Sequence, residues 1–289
     1  LRIAQIGYSN LELEASTSVH ARLKAVLAAL YRQDVTTATA HWQHLGHIAA
    51  PKGETGSTFR AVASYMAVLA DEGLNSIDNR WLNQLSSTQI LLVGPCNGRA
   101  TAKTGQWVAQ IVRIAGTTDF YNFAPADRTI LYANGETDAW LSAQNANELE
   151  ARFAKAGWFV TKKQGSTLTF ENLPKPDPSL SFLHLTGHPN MVPLMCMDLL
   201  ANPGATVHVI GANFYASQEM ALTSTSGSTS EFHHCGTLAS HNPFENRALV
   251  ANLVGAGRVD GDASFADALG LGDLEYARGL DQHYGIRRR

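Results

Sequence analysis

Residues 231–246, EFHHCGTLASHNPFEN, hold the side chains best suited to chemistry in this chain. A histidine pair, His233 and His234, precedes a third histidine, His241, which opens an H-x-x-x-E pattern ending at Glu245. Asn242 has the chemistry of a helix N-cap, Pro243 suits the first helical position, and Glu245 falls three residues after the cap, as in a capping box. His241 is therefore expected just ahead of a helix, where the positive end of the helix dipole disfavours imidazolium. A neutral imidazole at a loop–helix junction is what a general base requires. The plainer alternative is a helix start with no chemistry attached. Eleven histidines in one chain also cluster readily by chance.

Other candidates sit where predicted strands end. Gly94 and Asn97 follow the apolar run Ile90-Leu91-Leu92-Val93, Asn134 follows Thr129–Ala133, and Thr186 and Gly187 follow Ser181–Leu185. Gly211 closes Thr206–Ile210. In open parallel sheets ligands bind at the carboxyl ends of strands, so these residues are candidate nucleotide contacts. A glycine that simply closes a strand is the competing explanation for each. Asp260 and Asp262 form a D-x-D that could hold a divalent ion between sugar-nucleotide phosphates, although a loop and an N-cap explain them as well. Neither a full G-x-G-x-x-G, a G-K-[ST] nor a G-x-S-x-G occurs, so no dinucleotide fingerprint, P-loop or nucleophile elbow is present. The run Thr223–Ser230 has the composition of a loop just before the histidine cluster.

The elements that must position these residues fall into two regions. Residues 1–87 read as a helical region, with a stripe of Leu23, Val26, Leu27 and Leu30, a second helix over Val35–Ile48, a loop over Lys52–Ser57 and a third helix over Phe59–Ala70. This region is expected to be a packing or partner element. Residues 88–289 alternate strand and helix signals and predict a doubly wound, mostly parallel α/β domain. Within it, a helix is expected at Trp107–Val112, another over residues 138–156, strands at Phe159–Thr161 and Leu168–Phe170, and a helix carrying Val192, Met195, Cys196 and Leu199.

Composition removes several classes. The chain has 289 residues, 45% hydrophobic and 16% charged, with a formal charge of −3. A general nucleic-acid binder needs clustered Lys and Arg, which are missing here apart from Arg287-Arg288-Arg289. That triplet reads as a solvated tail or as a peripheral contact with an anionic membrane. No apolar run is long enough to span a bilayer, and no signal-peptide pattern is present, though a start at Leu1 leaves room for a removed segment. Cys96, Cys196 and Cys235 lack C-x-x-C spacing. This argues against a disulfide framework or thiolate zinc site, leaves one disulfide open, and points to a reducing, cytoplasmic compartment as the simpler reading.

Taken in order, the motifs resemble the sialyltransferases, both the animal-type family and the bacterial ones. Ile90–Gly94 with Asn97 is similar to their first nucleotide motif, and Tyr132-Ala133-Asn134 to the strand whose terminal Asn contacts the nucleotide. Thr186-Gly187, the following helix and the strand ending at Gly211 resemble the second motif. Tyr215 matches a tyrosine that contacts the donor phosphate in one bacterial family. His233 or His234 resembles the third motif, and His241 with Glu245 the H-x-x-x-E that supplies the base. The resemblance covers roughly residues 89–254. Pro95 follows Gly94 where the family has Asn, residues 188–190 lengthen the second motif, and Asn213 replaces an acidic residue. These departures fit a distant branch using another CMP-activated acidic sugar such as Kdo.

The resemblance implies a Rossmann-like, glycosyltransferase-A-like variant and an inverting, metal-independent transfer from a CMP-sugar to a glycan hydroxyl. His241 would act as base, with Tyr215 and His233 or His234 serving the leaving phosphate. No cofactor is implied beyond the donor substrate. A nucleoside monophosphate carries less charge than a diphosphate, so His and Tyr suffice to stabilise it as it leaves. Two alternatives stay open: a metal-dependent nucleotide-diphosphate-sugar transferase using Asp260 and Asp262, and a non-catalytic nucleotide- or glycan-binding module.

Overall fold

The computed structural model describes residues 19–45, 48, 51–72, 84–94, 102–112, 128–133, 156–161, 183–184, 189–216 and 241–284. Three helices come first: α1 (Val19–Tyr31), α2 (Val35–Gln43) and α3 (Gly53–Leu69). The sheet strands are β1 (Gln89–Val93), β2 (Trp107–Ile111), β3 (Thr129–Ala133) and β4 (Trp158–Thr161). After these come α4 (Met191–Leu200), β5 (Thr206–Ile210), α5 (Pro243–Gly255), β6 (Val259–Gly261), α6 (Ala263–Gly270) and α7 (Asp273–Tyr284).

The six strands form one all-parallel sheet in the order β4-β3-β2-β1-β5-β6, an α/β arrangement of the Rossmann-like type. β1 is QILLV and β3 is TILYA; nearly every residue of both is buried, as strands covered on two faces require. From β1 the strands step outward to β4, and the chain then returns to the other side of β1 to lay down β5. The order therefore reverses between β1 and β5.

Ile90 and Leu92 project into the main core, while Leu91 and Val93 join Val108 and Ile210 in a smaller cluster. The main core also takes Leu23, Leu27, Leu30, Tyr65 and Val68 from α1 and α3, so the helices before residue 87 share one core with the sheet. Tyr65 donates its hydroxyl to Leu249 O at 2.6 Å, and Asn252 Nδ2 donates to Leu30 O at 2.8 Å. Arg258, 6% exposed, donates to Val68 O, Leu200 O, Asn202 O and Ala205 O and pairs with Asp71. One buried guanidinium thus satisfies carbonyls left open at the C-terminal ends of α3 and α4.

Several expectations need correction. Trp107–Ile111 is a central strand, not a helix: it pairs with β1 and β3 on its two edges. Its apolar spacing suited either element, and pairing on both sides decided the outcome. The loop expected over Lys52–Ser57 is helical from Gly53 onward. Gly56 carries no side chain because a Cβ there would stand 1.9 Å from Pro51 O, so this glycine serves close packing. α2 ends at Gln43, short of the expected Ile48. Leu183 lies in a single tight turn instead of a strand. Asp260 belongs to β6, while Asp262 does cap α6. The helix expected over 138–156 lies outside the described residues except for its last position, which is not helical, and the strand at Leu168–Phe170 lies outside them entirely. Among the described residues no helix is long and apolar enough to cross a membrane.

Candidate functional site

The carboxyl ends of β1 and β5 meet at two glycines. Gly94 N donates to Ile210 O at 2.8 Å, and a Cβ on Gly94 would stand 2.5 Å from Gly211 O and 2.8 Å from Ala212 Cβ. No larger residue fits at Gly94 without moving backbone. Gly211 has φ +64°, in the left-handed region that glycine adopts at no steric cost. The two expected strand-end glycines therefore stand together at the point where the strand order reverses.

The loop after β5 is held from three directions. Gly211 N donates to Asp262 Oδ2 at 2.8 Å, while Asp262 Oδ1 accepts from Phe265 N at 2.8 Å. Both carboxylate oxygens of Asp262 thus receive backbone N–H groups, which explains half of the D-x-D without a metal. Asp260 stands apart on the surface, with Oδ1 2.8 Å from His208 Nδ1. Further along the loop, Phe214 and Tyr215 take φ +49° and +68°, an uncommon conformation for aromatic residues. Asn213 Oδ1 accepts from Tyr215 N at 3.1 Å, and Tyr276 of α7 donates its hydroxyl to Phe214 O. The Tyr215 ring is buried, and its hydroxyl accepts from Asn190 Nδ2 at 2.9 Å.

Asn190 joins this loop to the two helix N-termini at the same edge of the sheet. Its Oδ1 caps α4 through Met191 N at 2.6 Å, and its backbone N–H donates to Asn246 Oδ1 at 2.7 Å. Asn246 in turn donates from Nδ2 to Asn242 O at 2.7 Å. Asn242 caps α5, its Oδ1 accepting from Phe244 N at 3.0 Å and Glu245 N at 3.4 Å. His241 lies half-buried immediately before this cap. Glu245 is 2% exposed, and its Oε2 lies 3.0 Å from His184 Nδ1. The glutamate of the H-x-x-x-E pattern therefore has a tertiary partner as well as a place in the first helical turn.

Three stretches converge through these bonds: 184–190 at His184 and Asn190, 211–215 at Gly211 and Tyr215, and 241–246 at His241, Glu245 and Asn246. Of the sequence-derived candidates, Gly94, Gly211, Tyr215, His241 and Glu245 lie in this region. Asn97, Asn134, Thr186, Gly187, His233 and His234 lie outside the described residues. Sequence reasoning missed His184, and it missed Asn246 as a link. A signal for the latter existed: Glu245, Asn246 and Arg247 are three consecutive polar residues, all buried. Cys196 is a free thiol inside α4, its pKa pushed up to about 12 by burial, which makes it a packing group rather than a nucleophile. Among the described residues no cluster of three or more His, Cys, Asp or Glu is arranged to hold a metal. No family model, curated protein or solved structure matches this chain.

Proposed function

We propose that this protein is an inverting glycosyltransferase that moves sialic acid or a related acidic sugar such as Kdo from a CMP-sugar to a glycan hydroxyl. The sheet would then serve as a glycosyltransferase-A-like variant of the Rossmann-like arrangement. The observation that carries the reading is the convergence of the three stretches. Two parts of the region resembling the second donor motif, at His184/Asn190 and Gly211–Tyr215, meet the H-x-x-x-E segment, and Gly94 of the first motif stands beside Gly211, where the strand order reverses.

In this mechanism His241 removes the proton of the acceptor hydroxyl as that oxygen forms its bond to the anomeric carbon. The bond from that carbon to the CMP phosphate oxygen breaks on the opposite face, which inverts the configuration. His241 stands at the N-terminal end of α5, where the helix dipole disfavours imidazolium, as a general base requires. Tyr215, fixed by Asn190, and His233 or His234 serve the departing phosphate. No metal has a role in this scheme, because a monophosphate leaving group is stabilised by hydrogen-bond donors alone.

Thermal denaturation with nucleotides tests the proposal. CMP is expected to raise the melting temperature more than UMP, UDP or GDP. At a hundredfold excess over Kd the stabilisation is about 2.7 kcal/mol. Equal or greater stabilisation by UDP or GDP would remove the CMP-sugar assignment. Stabilisation by CMP with no turnover of any CMP-sugar, slow hydrolysis included, would instead identify a binding module.

A further inference from the structure

The contact between His184 and Glu245 has more chemistry in it than a helix start requires. Both side chains are withdrawn from solvent, at 0% and 2% exposure. An ionised carboxylate only accepts hydrogen bonds, so the hydrogen in the 3.0 Å contact belongs to Nδ1 of His184. In the neutral ring the lone pair then resides on Nε2. That atom is buried and has no hydrogen-bond partner among the described residues. Buried polar atoms are nearly always paired, so one left unpaired beside an orienting carboxylate calls for a partner. A histidine held through Nδ1 by an acid, with Nε2 unpaired, can accept the hydrogen of a hydroxyl.

Its place in the fold agrees. His184 stands two residues before Thr186-Gly187 in sequence, and the far end of the same stretch is tied by Asn190 N to Asn246, the neighbour of Glu245. The first turn of α5 therefore holds both His184 and Asn190, and His241 stands just ahead of its cap.

We propose that His184 is a ligand-contacting residue of this site, oriented by Glu245, with Nε2 accepting a hydrogen bond from a hydroxyl of the bound donor. The identity of the donor as a CMP-sugar rests on the proposed function; the pairing of His184 with Glu245 does not. Glu245 acts through His184 and is a positioning residue. No proton changes hands at His184, and the base remains His241. The hydroxyl is either on the ribose or on the transferred sugar. Burial of the ring places that hydroxyl out of water, as suits a donor that must not be hydrolysed.

Nitrogen-15 spectroscopy of histidine-labelled full-length protein tests this directly, with the His184 ring assigned by its loss in His184→Asn. The Nδ1–H form is expected without ligand, and saturating CMP or CMP-sialic acid should move the Nε2 resonance. A response to CMP that weakens with 2′-deoxy-CMP assigns the ribose; a response to CMP-sialic acid alone assigns the sugar. His184→Asn keeps a side-chain N–H for Glu245 and should weaken binding of the responding ligand about 3- to 10-fold. Glu245→Gln, which still accepts from Nδ1, should keep most of the affinity that Glu245→Leu loses. A ring carrying its hydrogen on Nε2 in the neutral form overturns the pairing. If CMP and CMP-sialic acid raise the melting temperature while Nε2 stays fixed, the contact is wrong and the glycosyltransferase reading survives. If neither ligand affects melting, that reading fails and the donor contact falls with it, while the unliganded tautomer still decides the pairing.

Discussion

In the proposed mechanism His241, just ahead of the cap of α5, and Glu245, in its first turn, have different roles. The cap of α5 is made by the side chain of Asn242, so removing the His241 imidazole leaves the helix start in place. His241→Ala is therefore expected to cut transfer by about 10²- to 10⁴-fold. The melting temperature and its rise with CMP should change little. Steady-state transfer and melting curves check this together, and a fully active variant would end the role of His241 as base. The pattern Asn242, Pro243 and Glu245 correctly located the helix start. It could not reveal where the Glu245 carboxylate points. That depends on His184, 61 residues earlier, and no local spacing encodes such a contact. The Asn190–Tyr215 and Asn190–Asn246 bonds were hidden for the same reason.

Among the elements, the buried strands β1, β3 and β5 were readable because each is a short apolar run closed by a turn signal. β2 was misread as a helix, since Trp107, Val108 and Ile111 satisfy either period until hydrogen bonds to both neighbours are known. α2 supplies a pH-dependent element. His41 lies in its last turn, where the helix dipole favours imidazolium, yet its affinity for a proton is held below the ordinary value. Burial is the main cause, and the charges of Arg22, His44 and Arg32 add to it, outweighing Asp34. The unfolded chain therefore binds the proton more readily. The stability His41 contributes is complete above its unfolded value of 6.5 and is lost as pH falls toward the depressed folded value. His41→Gln should thus flatten the decline of melting temperature between about pH 7 and pH 5 relative to the parent. Parallel curves for the two proteins would contradict this.

At the scale of the whole molecule, the alternation of strand and helix signals predicted a parallel α/β domain, and the six-stranded sheet agrees with it. The strand order itself was not legible, because it rests on which side of β1 the chain chooses on its return. Nor could the packing of the first helices be read. Their apolar stripes show that they bury a face, but not that the face meets α5. Through Arg258, that packing bears on the history of each molecule. Its guanidinium ties Val68 to Leu200, and Asn252 reaches Leu30 across 222 residues. Helices synthesised early in this stretch are completed by side chains synthesised about two hundred residues later. During synthesis α1 and α3 lack these late partners until residue 258 has been made, and apolar surface left uncovered in that interval favours aggregation. A fragment ending at residue 240 is accordingly expected to keep helical circular dichroism but to melt without a cooperative transition, whereas the full chain melts sharply. A sharp transition in the fragment would mean that the early helices are covered before the late side chains arrive.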